Sequence, residues 1–226
     1  MKILLHFIVL LSFTSAIAQK IKPTSTNEFI QECMKTSGEV GNKQIAIWLP
    51  YNFWTLVGDQ IKVSPEFEEN LVNQMRDYIM FCVVDLTLRN ADLQFKSEEE
   101  IRNSIRLTDS SKNIYKPLED IDISSDAKRL VQTLKPVMAQ MLGQFGTGTR
   151  IYLFKAKIVD NQPSINVMTK NSFTLSWNST SFTWKLPLSS ILPPKYCPVD
   201  NEKMKGNWEY CPIHGVKLEN KTTVGN

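Results

Sequence analysis

Histidine is almost missing from this chain of 226 residues, which contains only two. His6 lies in an apolar run at the N-terminus, so His214 is the only histidine in the rest of the chain. A Ser-His-Asp triad or a Cys-His pair would therefore have to use His214. A metal site built from several histidines is excluded.

A strong excess of either charge is missing as well. The chain has 26 basic and 23 acidic residues, and its net charge is +3. The basic residues are scattered rather than clustered, so we do not expect a nucleic-acid partner. No stretch beyond the N-terminal run stays apolar for about 18 residues, so we expect a soluble mature chain with no transmembrane segment.

The first 18 residues have the three parts of a secretory signal peptide. Lys2 gives a positive start, residues 3–13 form an apolar run too short for a comfortable membrane span, and residues 16–18 form a small-x-small cleavage site. Cleavage would leave Gln19 as the first residue. The alternative interpretation is a buried N-terminal strand. We expect an exported protein, periplasmic or secreted.

Three segments combine helical periodicity with signals for helix ends. Asn27 can cap the first segment, and Ser64 followed by Pro65 can begin the second. Pro136 should kink or split the third. The three predicted helices span residues 27–36, 65–79 and 125–142.

The sequence pattern of most of the remaining chain predicts short strands. IMFCVVDLTL (79–88) is typical of a buried strand, and 101–107 and 113–117 flank the turn TDSSKN. Further strands are expected in RIYLFKAKIV, INVMTK, FTLSW and FTWKLPL. The sequence therefore predicts an α+β fold, in which two or three helices pack on a mainly antiparallel β-sandwich or a partly open barrel.

The stretch IRLTDSSKNIYKPL (105–118) resembles strand pairs in immunoglobulin-like domains of exported bacterial proteins. In those domains a strand ending in Asp turns into N-x-Y-x-P-L. The resemblance covers about fourteen residues and supports a β-sandwich. It implies no activity.

Three further features have a functional and a structural interpretation. The glycines of GQFGTGTR (143–150) lack the spacing and the lysine of a phosphate-binding loop, so we interpret them as a flexible turn. Asp120 and Asp122 are expected to be solvated residues rather than a catalytic pair. An aromatic cluster could form a contact surface, although core packing around a strand end is favoured. The cluster contains Trp48, Tyr51, Phe53 and Trp54.

The proline-rich segment ILPPKY (191–196) predicts a stiff linker and a boundary. The expected organisation is a signal peptide (1–18), an α+β domain (19–192), a C-terminal hairpin (193–218) and a tail (219–226).

The hairpin contains two Cys-Pro turns in CPVDNEKMKGNWEYCPIHG (197–215). Each turn has a metal-ligand residue three positions after its cysteine: Asp200 after Cys197, and His214 after Cys211. Such a turn points two donors at one spot and aims backbone N–H groups at the thiolate. Two such turns can supply the four tetrahedral ligands that zinc prefers.

The hairpin resembles the zinc-ribbon family, in which two Cys-Pro-x-Cys-Gly knuckles share one metal. The resemblance covers about 22 residues and implies a structural zinc held by Cys197, Asp200, Cys211 and His214. Asp200 stands where the family has a second cysteine, and a carboxylate makes a weaker site. Two alternatives stay open at this point: a Cys197–Cys211 disulfide formed in an oxidising compartment, or two free thiols.

The other two cysteines, Cys33 and Cys82, are expected to be separate buried thiols. The favoured function is that of an exported, non-enzymatic binding or scaffolding protein of the cell envelope. Its partner would be a protein or an envelope component. The alternative is an extracytoplasmic hydrolase that depends on a metal or on carboxylates.

Overall fold

The computed structural model describes residues 23–39, 41–51, 53, 55, 64–159 and 162–220. The predicted signal peptide, Trp54 and residues 221–226 of the predicted tail lie outside the described residues. The described chain combines helices with several antiparallel sheets, which confirms the predicted α+β class, and it forms no closed barrel. No helix within it is both long and apolar enough to cross a membrane.

A five-stranded antiparallel sheet is built around the long strand β3. Strand β3 is apolar and rich in β-branched side chains, and residues 78–86 are buried throughout. Along one edge it pairs with β2, and along the other it pairs first with β7 and then with β4. The strands are β1 (Met34–Ser37), β2 (Asn42–Leu49), β3 (Tyr78–Arg89), β4 (Asp92–Phe95) and β7 (Arg150–Lys155).

A second antiparallel sheet has the strand order β11-β10-β5-β6. Its strands are β5 (Arg106–Thr108), β6 (Ile114–Tyr115), β10 (Ser172–Trp177) and β11 (Thr180–Lys185). Every second residue of β10 is buried, and its neighbours are half-buried. This alternation places one face of the sheet against the core.

Aromatic rings join the two sheets. The ring centroid of Phe81, on β3, lies 6.0 Å from that of Phe173 and 5.5 Å from that of Trp184. Trp48, on β2, meets Phe173 edge to face at 4.9 Å. Aromatic pairs at these separations add to the stabilisation gained by burying their surface. The two packed sheets are compatible with the predicted β-sandwich.

Helices occur at all three predicted places, with different bounds. Helix α1 (Thr26–Cys33) is capped by the Ser25 hydroxyl rather than by Asn27, and strand β1 follows directly. Helix α2 (Pro65–Met75) ends before the strand that begins at Tyr78. Helix α4 (Ser125–Met141) continues through Pro136 without being split.

An additional helix, α3 (Glu98–Ser104), replaces the first part of the strand predicted over 101–107. The Ser97 hydroxyl accepts a hydrogen bond from the backbone N–H of Glu100, whose carboxylate accepts one from the Ser97 N–H. This capping box satisfies two backbone donors at the helix start. It therefore favours a helix over a strand here.

The strand predicted over INVMTK (165–170) is replaced by turns. The Asn166 side-chain oxygen accepts hydrogen bonds from the backbone N–H groups of Met168 and Thr169, at 3.0 and 3.1 Å. Such local bonds compete with pairing in a sheet. Two short strands precede this segment, β8 (Ile158–Val159) and β9 (Gln162–Pro163).

The glycine-rich segment forms a 3-10 helix, Gly143–Gly148, rather than a flexible turn. A Cβ atom at Gly146 would overlap the backbone of Ala139, and one at Gly148 would overlap the ring of Phe95. These two glycines therefore permit close packing of the chain.

The aromatic cluster contributes to the core where it is described. Trp48 and Phe53 are buried, and Tyr51 is half-buried. The core interpretation is thus confirmed for two of the four members. Asp120 and Asp122 lie on a short exposed 3-10 helix, as expected for solvated residues.

One buried carboxylate connects the two sheets. Asp85, on β3, accepts hydrogen bonds on Oδ2 from Trp177 Nε1 at 2.9 Å, Gln44 Nε2 at 2.8 Å and Asn178 Nδ2 at 3.1 Å. Trp177 is the last residue of β10, and Asn178 begins the turn between β10 and β11. Three donors on one oxygen compensate for burying the carboxylate, so Asp85 connects the two sheets through hydrogen bonds.

The C-terminal hairpin packs against the segment that leads into it. A 3-10 helix, Ser189–Ile191, is buried before the two prolines. Gly206 approaches that segment so closely that a Cβ there would lie 2.5 Å from Pro193 O and 2.6 Å from Leu192 Cβ. Three short strands frame the hairpin: β12 (Lys195–Tyr196) pairs with both β13 (Lys203–Met204) and β14 (Glu219–Asn220).

Candidate metal centre

The first Cys-Pro turn runs from Cys197 to Glu202. The Asn201 N–H donates to Cys197 O at 2.8 Å, and the Cys197 N–H donates to Glu202 O at 3.0 Å. Asn201 adopts a left-handed conformation with φ of 62°. Asparagine tolerates this conformation better than most residues, which explains its place in the turn.

The second turn repeats the first in every one of these bonds. The Gly215 N–H donates to Cys211 O at 2.9 Å, the Cys211 N–H donates to Val216 O at 2.8 Å, and Gly215 has φ of 67°. Glycine and asparagine thus occupy the same left-handed position, four residues after each cysteine. The two turns are copies of one backbone motif.

The two turns bring three ligand atoms together. Nδ1 of His214 lies 3.4 Å from the sulfur of Cys197 and 3.6 Å from the sulfur of Cys211. All three atoms lie within 4.8 Å of one another. A tetrahedral zinc ion with its usual bond lengths holds a sulfur and a nitrogen ligand about 3.5 Å apart. The spacing is therefore compatible with a metal site.

Asp200 lies at the edge of this group. Its Oδ2 is 3.7 Å from His214 Nδ1, and its Oδ1 accepts a hydrogen bond from the Glu202 N–H at 3.0 Å. The pKa of Asp200 is lowered, first by that backbone bond and further by Cys197 and His214. The carboxylate is thus held in its ionised form, in which it can accept a cation.

Backbone N–H groups point at both sulfurs. Burial of the Cys211 thiol opposes its ionisation, but hydrogen bonds from the N–H groups of His214 and Ile213 outweigh burial and lower its pKa. The pKa of Cys197 is raised, because burial there outweighs the N–H groups of Val199 and Asp200. N–H groups directed at a sulfur stabilise the thiolate, which is the form that binds metal.

The hairpin has a very small hydrophobic core. Four side chains are buried in it, those of Cys197, Met204, Cys211 and Leu218, with Val216 partly buried against them. A core of this size does not stabilise a folded unit, so small units usually need a metal or a disulfide. Half of this core consists of the two cysteines, and both are unbonded thiols in the structure.

The remaining cysteines are remote from this chemistry. Cys33 and Cys82 are buried in the core of the α+β domain and are unbonded. Burial raises the pKa of Cys82 to about 12 and raises that of Cys33 as well. Both thiols therefore stay protonated near neutral pH and are unreactive.

Comparison with known proteins gives no assignment. No family model matches the chain. No curated protein and no solved structure matches it either. The chain's own residues are therefore the only guide to its function.

The sequence patterns did not reveal a cationic cavity in the α+β domain. Its charged residues come from helices α3 and α4, from the 3-10 helix Asp120–Asp122 and from strand β7, so no local motif contains them. The helical spacing of Lys128 and Lys135, seven residues apart on α4, is the only signal that the sequence offered.

Proposed function

We propose that this chain is an exported, non-enzymatic binding or scaffolding protein with a structural zinc ribbon at its C-terminus. The supporting observation is the pair of matching turns that gathers Cys197, Cys211 and His214 at the separations of a tetrahedral site. Asp200 is the fourth ligand in this proposal. Its oxygen lies 3.7 Å from His214 Nδ1, against about 3.3 Å between oxygen and nitrogen ligands of one zinc ion.

The chemistry of the donor set favours zinc. Two thiolates and an imidazole suit a borderline-soft ion, whereas magnesium and calcium prefer oxygen ligands. The two sulfurs are buried under the turns. A metal held there would stabilise the hairpin, since in small ribbons the free energy of metal binding drives folding.

The signal peptide predicted over residues 1–18 supports export to the periplasm or beyond. In that setting the α+β domain and its hairpin would act on a protein or another component of the envelope. A stabilising metal centre suits a module that presents a fixed surface to a partner.

Metal content tests the proposal directly. Native mass spectrometry of the exported protein should show the mass of a chain that begins at Gln19 and carries one bound zinc ion. The Cys211→Ser variant should bind no zinc, and the Asp200→Asn variant should bind zinc more weakly. The matched controls Cys33→Ala and Glu202→Gln, at positions outside the proposed ligand set, should keep it.

The same spectra can also contradict the proposed zinc site. A mass two protons below that of the reduced chain, with Cys197 and Cys211 unreactive towards thiol reagents until reduction, would replace the zinc with a disulfide. Two reactive thiols and no bound zinc would leave the turns held by packing alone. Either result would end the ribbon proposal.

A hydrolase is the second candidate, and one observation favours it. The side chains of His214 and Asp200 are 32% and 36% exposed, so solvent reaches that side of the site. If Asp200 gave way to water, the ion would have an open position, as catalytic zinc does. Zinc-dependent hydrolysis of an activated ester, abolished in Cys211→Ser and increased in Asp200→Asn, would favour this candidate over a structural role.

A further inference from the structure

A cavity of about 230 Å³ opens between helix α4, helix α3, the 3-10 helix Asp120–Asp122 and strand β7. It lies in the α+β domain and shares no residue with the hairpin. Its lining combines apolar and polar residues. Five of the lining residues are apolar: Leu118, Ile123, Val131, Ile151 and Leu153.

The rim of the cavity carries more positive than negative charge. Lys128 and Lys135 project from α4, and Arg102 and Arg150 come from the opposite side, whereas the acids on the rim are Glu98 and Asp120. Charges of one sign along a cleft with low-dielectric walls raise the local concentration of ligands of opposite charge.

Both arginines are held in place mainly by backbone carbonyls. Arg102 Nη2 donates to Leu118 O at 2.5 Å and to the exposed carboxylate of Glu119 at 3.0 Å. Arg150 Nη1 donates to Thr149 O at 3.0 Å and to Thr147 O at 3.3 Å. Carbonyls orient a guanidinium group without neutralising its charge, so Arg150 remains available to an anion, whereas Arg102 is already paired with Glu119.

The two lysines are the least engaged cations of the rim. Among the described residues neither side chain has a hydrogen-bonding or ion-pair partner. Tyr152 also lines the cavity, and its hydroxyl donates to Glu98 O at 3.1 Å. The cavity thus combines a hydrogen-bonded tyrosine with two lysines that have no partner among the described residues.

We propose that this cavity binds a small amphipathic carboxylate. Its apolar body would occupy the space above Val131, Ile151 and Leu153, and its carboxylate would lie between Lys128 and Lys135. An apolar cavity of about 150 Å³ accepts benzene, so the volume here suits a ligand with one or two rings or a short branched chain. This inference gives the proposed binding protein a ligand class, and it stands independently of the hairpin metal.

Two probes that differ in charge test the assignment. Isothermal titration calorimetry on the full chain should detect 2-naphthoate and should show 2-naphthamide, its neutral analogue, binding about tenfold more weakly. Raising the salt concentration should weaken the binding of 2-naphthoate and leave the binding of 2-naphthamide unchanged, because salt screens the charges of the lysines.

Charge reversal locates the site. The double variant Lys128→Glu/Lys135→Glu should weaken 2-naphthoate about tenfold or more. The control Lys170→Glu/Lys185→Glu changes the net charge equally at two exposed lysines outside the cavity, and it should bind as the unaltered chain does. The two variants should unfold at the same temperature.

Three results would overturn the inference: no binding of 2-naphthoate, equal binding of acid and amide, or equal weakening in both double variants. If the α4 variant fails to fold, the salt dependence of the unaltered chain decides. If the affinity for 2-naphthoate does not change with salt concentration, binding by Lys128 and Lys135 would be contradicted.

Discussion

Two buried clusters of very different size divide the molecule. In the α+β domain, aromatic and aliphatic side chains from both sheets and the helices form one continuous core. In the C-terminal hairpin, the core consists of two cysteines, Met204 and Leu218. Burial of this apolar surface stabilises the larger part of the fold. The hairpin has matched turns and polar ligands but too little apolar surface, so its stability should depend on what its cysteines bind.

Metal removal should give the largest effect and should separate the two regions. Structural zinc contributes on the order of 10 kcal/mol to the folding of small metal-binding units. A strong chelator, or Cys211→Ser, should therefore unfold the hairpin while β3 stays folded. Hydrogen exchange read by mass spectrometry should show loss of protection over residues 195–220 and none over 78–89. Unchanged protection in the hairpin would show that packing or a disulfide holds it.

The reverse separation is expected from Phe81→Ala. Phe81 is fully buried and contacts aromatic rings on the facing sheet. Removing a buried phenylalanine ring costs about 3–5 kcal/mol. Urea denaturation should show this loss, while folded protein keeps the same zinc content. Ile121→Ala is the matched control, because Ile121 is 91% exposed and the change should stay within about 0.5 kcal/mol.

A smaller loss of stability is expected when the carboxylate that connects the two sheets is removed. Asp85→Ala removes the acceptor for Trp177 and Gln44 and leaves donors unpaired, two of them on buried or half-buried side chains. Unsatisfied buried groups cost about 1–3 kcal/mol. Urea denaturation should give a lower unfolding free energy for this variant than for Asp92→Ala, at an exposed position on β4. Equal stability of the two would exclude a connecting role for Asp85.

Helix α3 offers a test at about 1 kcal/mol. Ser97→Ala removes the hydroxyl that accepts from the Glu100 N–H, and loss of such a cap costs about 1 kcal/mol. Thermal unfolding should register the loss. Ser110→Ala, in an exposed turn, provides the control. No difference between the two variants would mean that the capping box contributes nothing.

The smallest effect is a dependence on pH. The Ser97 N–H, followed by Lys96, lowers the pKa of Glu100 from 4.5 to about 2. A carboxylate with a lowered pKa stabilises the folded state above its unfolded pKa, and this contribution disappears as pH falls through the folded value. The stability difference between the unaltered chain and Glu100→Gln should therefore shrink between about pH 4.5 and 2. A constant difference across that range would contradict the bond to Ser97.

Local patterns predicted the helices and the metal-ligand turns better than they predicted individual strands. The 65–79 and 125–142 segments carry long apolar periodicities, so their helices were found despite errors at the ends. Ser97 and Glu100 have the spacing of a capping box, a local signal that favours helix α3 over a strand. At Asn166 a side chain captures its own backbone, and apolar content alone wrongly predicted a strand.

The sequence by itself determined the two Cys-Pro turns, each of which carries one candidate ligand pair: Cys197 with Asp200, and Cys211 with His214. Each ligand pair lies within one turn, and the left-handed positions at Asn201 and Gly215 are set by the neighbouring residues. Short-range geometry of this kind needs only local residues.

Only the tertiary structure decided the sheet order, the connection through Asp85 and the cationic cavity. Asp85 and Trp177 are 92 residues apart in the sequence, and the cavity combines side chains from α3, α4 and β7. Such contacts depend on how the two sheets pack, and packing is set by the summed burial of many side chains that no short motif encodes.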